Sequence, residues 1–507
     1  MHYFEFAEKD ATLYEVSKSM NTGLDEIIEV RKDMNSDGSV ISVSRALIKF
    51  DLNYISESIA SGLITSGSNT RFALNLYDAN SEALNTSQKL YAYPVSQSWE
   101  MGSGRAQANP VIEDGCSWNY RDGSTIATTW KGSSTTLIGN TYASGTLVIN
   151  NGNYQSQEFN IGGVDFVFIS GSVYNNSSDE IYVASGSTTG SSLNNLRDSI
   201  NNSSSLHGLA ISASVTSSIN SNAGDTLIMS GSVVGTVSNY SVASSSGLFV
   251  FGNETTALAG GTDATTTISS HGGTWYSGSG YEAHQNFNHE PTDLRMDVTD
   301  IVWNWVDGRI PNEGFMLKRS GSGDNSDSNV EEGNTTKYGN FIFFGRATHT
   351  VYQPKLEVIW DDSTWATGSL SPLTSDNLQD MVLYMRGLRP EYKEKSKVKF
   401  RVTGRERFPD KSYSTSGYST GYTTVKTLPS GSTYYEIKDA YTEDVIVPFG
   451  TGSAVSCDST GNYFNFWMNG LQSERFYRIN YKVVSGSGTI DENVEFFDEK
   501  NSFKVVR

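Results

Sequence analysis

Cysteine, proline, basic residues and long apolar runs are all scarce in this chain of 507 residues, and each scarcity closes off a class of protein. Two cysteines, Cys116 and Cys457, stand in different regions and cannot make a disulfide framework. Two free, buried thiols and folding in a reducing compartment are the expectation. No stretch approaches the roughly 18 apolar residues of a membrane helix, so no membrane span is expected. The opening MHYFEFAEKD lacks a basic n-region and an apolar core, so no secretory leader is expected. With 37 Lys+Arg against 56 Asp+Glu, the net charge is −19. Nucleic-acid binding needs a basic face to neutralise phosphates, and the whole-chain balance argues against it. Runs of strong helix formers are few, and prolines number 10 against 48 glycines.

Catalytic signatures are missing too. No nucleophile elbow, H-E-x-x-H, P-loop or nucleotide fingerprint occurs in its structural context. Carboxylates are everywhere, and nothing singles out an acid/base pair for glycoside cleavage. No catalytic residue, cofactor or metal is assigned, and the chain is read as a non-enzyme. Asp33-Met34-Asn35-Ser36-Asp37-Gly38 opens like a calcium loop, but its twelfth position is Ser44 instead of the bidentate Glu. A hairpin turn closed by Asp-Gly is the preferred reading there. Asp324, Asp327, Asn329 and Glu331 read as a solvated acidic loop. His271, His284 and His289 cluster without a further zinc ligand at compatible spacing, and read as surface histidines.

What the chain does have is Gly, Ser, Thr and Asn in quantity and 12% aromatics. That composition points to a mainly β protein with polar turns, too aromatic for a disordered chain. The length prior allows roughly three domains. Strands are predicted at 26–30, 39–50, 71–77 and 89–95, with Trp99 and Trp118 in the loops that follow. From about Lys131 the composition shifts, and Arg197 is the one basic residue between Gly132 and Leu294. There 160–169 (NIGGVDFVFI) reads as a Gly-turned strand. Leu193, Leu196 and Ile200 mark a helix over 191–202, with serines as its N-caps. Strands follow at 209–215, 226–230 and 248–251. Residues 131–270 are therefore read as an inserted small α+β module. Residues 271–362 return to the first style, 363–376 form a Ser/Thr/Pro linker, and 377–507 alternate as an immunoglobulin-like β-sandwich lacking the Cys–Trp–Cys core.

Two separated segments carry a family resemblance. Residues 43–52 (VSRALIKFDL) show R-x-L-x-x-F-D-L from Arg45 to Leu52. Asp297-Val298-Thr299-Asp300-Ile301-Val302 leads to Trp305, then Asn312-Glu313-Gly314-Phe315 to Leu317. Asp10 to Leu13, Asn21-Thr22-Gly23, Trp99, Ser117-Trp118-Asn119 and Gln353-Pro354-Lys355-Leu356 fall in the matching order. Residues 1–130 joined to 271–362 thus resemble the DNRLRE family of β-sandwich modules, which bind and scaffold. The resemblance implies a split, jelly-roll-like β-sandwich, with Asp297 and Thr299 capping a short helix. Asn160 to Phe168 and Leu193 to Asn201 resemble a small module of flagellin-type and phage structural proteins.

These readings lead to a structural protein of a bacteriophage particle, in the tail, baseplate, neck or a fibre. It would be made in the host cytoplasm and reside in the virion, with other virion proteins and copies of itself as partners. The alternative is a polysaccharide-binding or adhesive module meeting a host surface, with Trp99, Trp118, Trp275 and Tyr281 as platform residues. Two surfaces are candidates for contact. Lys395, Lys397, Lys399 and Arg401 alternate with apolar residues and would line one strand face, as a docking stripe or as a solvated edge. Tyr413, Tyr418 and Tyr422, among Ser, Thr and Gly, would form an adaptable contact loop.

Overall fold

The computed structural model describes the chain except for residues 35–40, 68, 85–86, 125–126, 131–135, 138–141, 151, 171–175, 216–225, 245, 252–256, 262–263, 268–270, 289, 291, 320–330, 335, 374–377, 409–424 and 486–492. It is mainly β. The first and third quarters of the sequence are held together by one long strand, His2–Tyr14. Its residues 2–6 pair with Lys355–Ile359, and beyond a bulge between Ala7 and Lys9 it pairs with Ile41–Phe50. One wing continues through Arg71–Leu76 to Leu294–Asp297, the other through Phe315–Arg319 and Gln88–Pro94 to Ala283–Phe287. The ten-stranded sheet bends until nearly closed. A bulge in a central strand supplies such a bend by adding local twist.

Inside lies a core that includes Ile48, Phe50, Leu74, Ile301, Val302, Trp305, Phe315 and Val358. Two short helices help to fill it, Asn53–Ala60 and Thr299–Val306. Thr299 does not cap its helix as expected: the N-cap is Val298, which makes no side-chain cap bond. The Thr299 hydroxyl instead donates to Asp297 Oδ1 at 2.6 Å and accepts from the Phe72 amide at 2.9 Å, which ties the helix start to the sheet. The motif residues converge at another turn. Asn312 Nδ2 donates to the Phe50 carbonyl at 2.8 Å, and Trp99 Nε1 donates to the Glu313 carbonyl at 2.9 Å. Gly314 sits there at φ +87°, against the Ile48 carbonyl and Lys49, where a Cβ has no room.

The segment between Trp130 and Gly272 builds its own core from residues such as Phe159, Phe166, Ile181, Leu193, Leu196, Leu227 and Phe249. Two sheets of five and four strands pack there with the helix Thr189–Asn202. The stretch read as a single strand at 160–169 is a hairpin, Glu158–Ile161 with Val164–Ile169, turning at Gly162 and Gly163 with positive φ at both. The helix cap is Thr188 and not one of the serines; Thr188 and Ser191 form a reciprocal capping box. At the base, Thr136–Leu137 pairs with Ala264–Thr267, which in turn pairs with Trp275–Ser277.

The C-terminal residues form two packed sheets, of four and five strands. Phe400, Tyr435, Phe464, Ile479 and Phe503 lie between them. The Tyr477 hydroxyl donates back to the Gln472 carbonyl at 3.1 Å and accepts from its amide at 2.7 Å, which pins the turn before its strand. The Ser/Thr/Pro stretch expected as a linker lies along this unit: Trp365 bridges Cys457 and Pro372 bridges Thr427. Phe4, from the first strand, is part of the C-terminal core. Both cysteines are free and buried. No helix among the described residues is long and apolar enough to cross a membrane.

The paired stem gives a direct test of the inserted core's independence. Replacing residues 138–263 with a short Gly-Ser linker joins two strands that already pair at Leu137 and Ala264. The expected product is soluble and unfolds cooperatively in urea; loss of cooperativity or insolubility contradicts separate cores.

Candidate functional site: buried charge at two seams

Glu332 follows the acidic loop that the sequence reading left in solvent, and the structure turns it fully inside. Its side chain is 0% exposed, as are those of Arg45 and Lys318. Arg45, on strand Ile41–Phe50, grips the carboxylate with Nη2 at 2.7 Å and Nε at 3.2 Å. Its Nη1 donates to the Gly272 carbonyl at 2.7 Å, where the chain returns from the insertion. Lys318, on Phe315–Arg319, holds the same carboxylate at 3.6 Å. The Arg45 guanidinium lies 4.9 Å from the ring centroids of both Trp118 and Trp275, and Lys318 Nζ lies 4.9 Å from Trp275. Aromatic faces stabilise cations where water cannot. Burial pushes the Glu332 carboxyl up, and the two cations more than reverse that, holding it below its ordinary range. Lys32 closes the loop by donating to the Glu332 and Asn334 carbonyls at 2.6 and 2.9 Å.

This placement corrects the polysaccharide platform. Trp99, Trp118, Trp275 and Tyr281 are all buried. The first three pack in one cluster with Leu13, Leu47, Tyr93 and Met316; Tyr281 lies in the larger core. Trp118 and Trp275 flank Arg45 and present no ring to a sugar.

The basic stripe takes shape only in part. Lys397, Lys399 and Arg401 alternate along strand Lys397–Glu406 with Phe400 and Val402 buried behind them. Lys395 lies before the strand, at φ +59°. The cations are partnered within the chain. Asp458 accepts from Lys399 Nζ at 2.8 Å and from both Arg401 terminal nitrogens at 3.0 and 2.9 Å. Lys399 lies 3.6 Å above Tyr463 and Lys397 5.1 Å above Trp467, rings on the adjacent strand. The hydrogen bond from Arg401 is the main reason the Asp458 carboxyl is held far below its usual range. The repulsion expected between bare like charges is therefore largely relieved. Tyr413, Tyr418 and Tyr422 lie outside the described residues.

The turn read from Asp33 is a hairpin, Ile27–Met34 paired with Ile41–Phe50, and Lys337 occupies Asp33 at 2.8 Å. Asn35 and Asp37 lie outside the described residues. His284 packs on Tyr91 at 5.2 Å, His271 is exposed, and His289 is outside the described residues. Among the described residues no group of three or more His, Cys, Asp or Glu could hold a metal ion.

A second seam joins the first sheet to the C-terminal sandwich, and the sequence reading missed it. Cross-strand register puts His2, Phe4 and Phe6, then Ile359, Glu357 and Lys355, then Arg71, Ala73 and Asn75 on one sheet face. Phe4 seats in the C-terminal core beside Gly470, and Ile359 packs near Gly452. Glu357 is held at 2.6 Å by His2 Nδ1, at 2.9 Å by Arg295 and at 3.3 Å by Asn75. Burial lowers the His2 imidazole, so at neutral pH it donates Nδ1–H as a neutral ring. Lys355 is different. It is 6% exposed, and among the described residues its ammonium has no hydrogen-bond or ion-pair partner. Its neighbours are the Phe6 and Tyr77 rings, at 5.6 and 5.3 Å. Burial pulls its pKa down to about 8, with Glu357 opposing. The signal for this residue lies in a period-two pattern, Lys355 and Glu357 alternating with Leu356 and Val358. That pattern reads as an ordinary solvated face until a second domain covers it.

Two measurements follow from these seams. Glu332→Ala leaves two buried cations uncompensated and is expected to cost about 3–5 kcal/mol in urea unfolding; a loss below about 1 kcal/mol would mean that the carboxylate is not holding them. For Lys355 the sign is set by linkage. Between pH 8 and the ordinary lysine value near 10.5 the unfolded chain keeps a proton that the folded chain has lost. This residue therefore adds stability as pH rises through that window, on the order of 3 kcal/mol in full. Urea midpoints at pH 7.5 and pH 10 are expected to show this gain in the natural chain relative to Lys355→Met, and equal slopes would contradict it.

Compared with protein-family models, curated proteins and solved structures, the chain matches none.

Proposed function

We propose that the chain is a structural protein of a bacteriophage particle, a tail, baseplate, neck or fibre component acting by assembly and surface contact. The burial of Trp99, Trp118, Trp275 and Tyr281 carries this reading against the adhesive alternative, because the aromatics a sugar platform would use are committed to packing. Ionisable groups point the same way. Arg45, Lys318 and Glu332 are locked to one another, as are His2, Glu357 and Arg295. Groups tied in this way hold a scaffold together. The likeness of residues 1–130 and 271–362 to DNRLRE modules supports a binding and scaffolding role, since the residues that carry it meet at the turn around Asn312 and Gly314. Fold alone does not fix function, so the particle is the place to look.

The deciding experiment is mass spectrometry of particles purified on a density gradient from a host carrying the gene. Peptides of this chain are expected to travel with the particle peak in a fixed ratio to other virion proteins; recovery in the soluble lysate alone would overturn the proposal. The contact surface is tested in the same preparation. Reversing Lys395, Lys397 and Lys399 to Glu is expected to reduce incorporation several-fold with Tm nearly unchanged, because exposed pairs such as Lys399–Asp458 are worth about 1 kcal/mol or less. Full incorporation would return the stripe to a solvated strand face.

A further inference from the structure

Between the first sheet and the C-terminal sandwich lies a small cavity of about 50 Å³, lined by Tyr77, Tyr352, Lys355, Val445, Arg475 and Tyr477 among others. Asp439 and Asp444 also line it, and they and the neighbouring Glu357 are already committed. Asp439 accepts from Arg475 at 2.7 Å and from the amides of Tyr441 and Thr442 at 2.9 and 3.0 Å. Asp444 accepts from the Thr442 hydroxyl at 2.8 Å and the Tyr352 hydroxyl at 3.3 Å. Glu357 is shared by His2, Arg295 and Asn75. Two donors remain. The Lys355 ammonium has no polar partner among the described residues, and neither has the Tyr77 hydroxyl, which lines the same cavity. An ammonium on a residue only 6% exposed, with no polar protein partner, gains from an anion seated beside it.

We propose that this cavity binds a small carboxylate, of formate or acetate size, whose two oxygens accept from Lys355 and Tyr77. The small space favours a ligand of one or two carbons. The aromatic and aliphatic walls favour an acid with a small apolar end over a fully hydrated inorganic ion. A bound carboxylate would touch residues from both sides of the seam, since Tyr77 and Lys355 belong to the first sheet and Val445 and Tyr477 to the C-terminal sandwich. Occupancy would therefore stiffen the joint between the two units. The ligand belongs to the joint and stands apart from the particle-assembly reading.

Thermal unfolding of the full chain, at pH 7 and constant ionic strength, with sodium formate or acetate replacing sodium chloride, tests the proposal. The expected result is a saturable rise in Tm of a few degrees, absent in Lys355→Met and kept in Lys397→Met. A rise that does not saturate, or that is equal in Lys355→Met, overturns it. If Lys355→Met does not fold, the natural chain serves alone. The formate-dependent rise at pH 7 is expected to vanish at pH 10, where the amine is neutral, and its persistence there overturns the proposal. An acidic side chain from a second copy could supply the same chemistry. Stability that follows protein concentration and ignores formate would assign the carboxylate to that copy and overturn the small-ligand assignment.

Discussion

A single carboxylate, Glu332, brings the separated halves of the first unit into register. Arg45 enters from the early sequence and Lys318 from the late sequence, and both meet the same carboxylate at its Oε2. Trp118 precedes the insertion and Trp275 follows it, and the Arg45 guanidinium lies between their rings. The Gly272 carbonyl takes another of its donors. An inserted segment of well over a hundred residues would normally add closure entropy to the joining of its ends, though that cost rises slowly with length. Here the two ends are also pinned chemically, by a guanidinium that accepts no substitute geometry. Lysine could supply the charge at position 45 but not the planar fork that spans the carboxylate and the carbonyl together.

The second seam follows a different logic. Phe4 is contributed to a core assembled mostly from residues beyond Leu378. Around it the interface is polar, with His2, Asn75, Arg295, Glu357 and Lys355 on one sheet face. A purely apolar face would have bonded these units more strongly and would have been hazardous before the C-terminal sandwich had folded. A largely polar surface with a few aromatic anchors, Phe4 and the Tyr3–Trp467 contact among them, stays soluble until its cover arrives, and then gains direction from its hydrogen bonds.

Much of this architecture was legible in the residues. The strand ending at Phe50, the hairpin at Asp33 and the alternation from Lys397 to Val402 followed from local pattern, the helix around Ile301 and Trp305 from the family resemblance, and each appears. The long strand His2–Tyr14 was visible only in its last residues, because its outward positions bury His2 and Asp10 against later parts of the chain and so break the expected alternation. Helix Asn53–Ala60 was hidden by its brevity and its serines. Glu332 was unreadable for a plainer reason: nothing local distinguishes a carboxylate that will meet two buried cations from its solvated neighbours. The same holds for Lys355, whose isolation exists only after another domain has folded over it. The tryptophans were ambiguous between platform and core, and tertiary placement decided for core.

The two ways in which strands join this molecule also give it a mechanical anisotropy. Hydrogen bonds between antiparallel strands lie across the strand axis. His2–Tyr14 is paired along nearly its whole length, first with one neighbour and then with another. A pull along it loads many bonds at once, in shear. The stem of the inserted lobe pairs over two or three residues, and its entry and exit stand side by side. A pull on that lobe peels the stem open one bond at a time. Tension applied through the lobe would therefore be relieved at the stem long before it reached the Arg45–Glu332 pair, leaving the rest of the chain intact while the lobe swings on its tether.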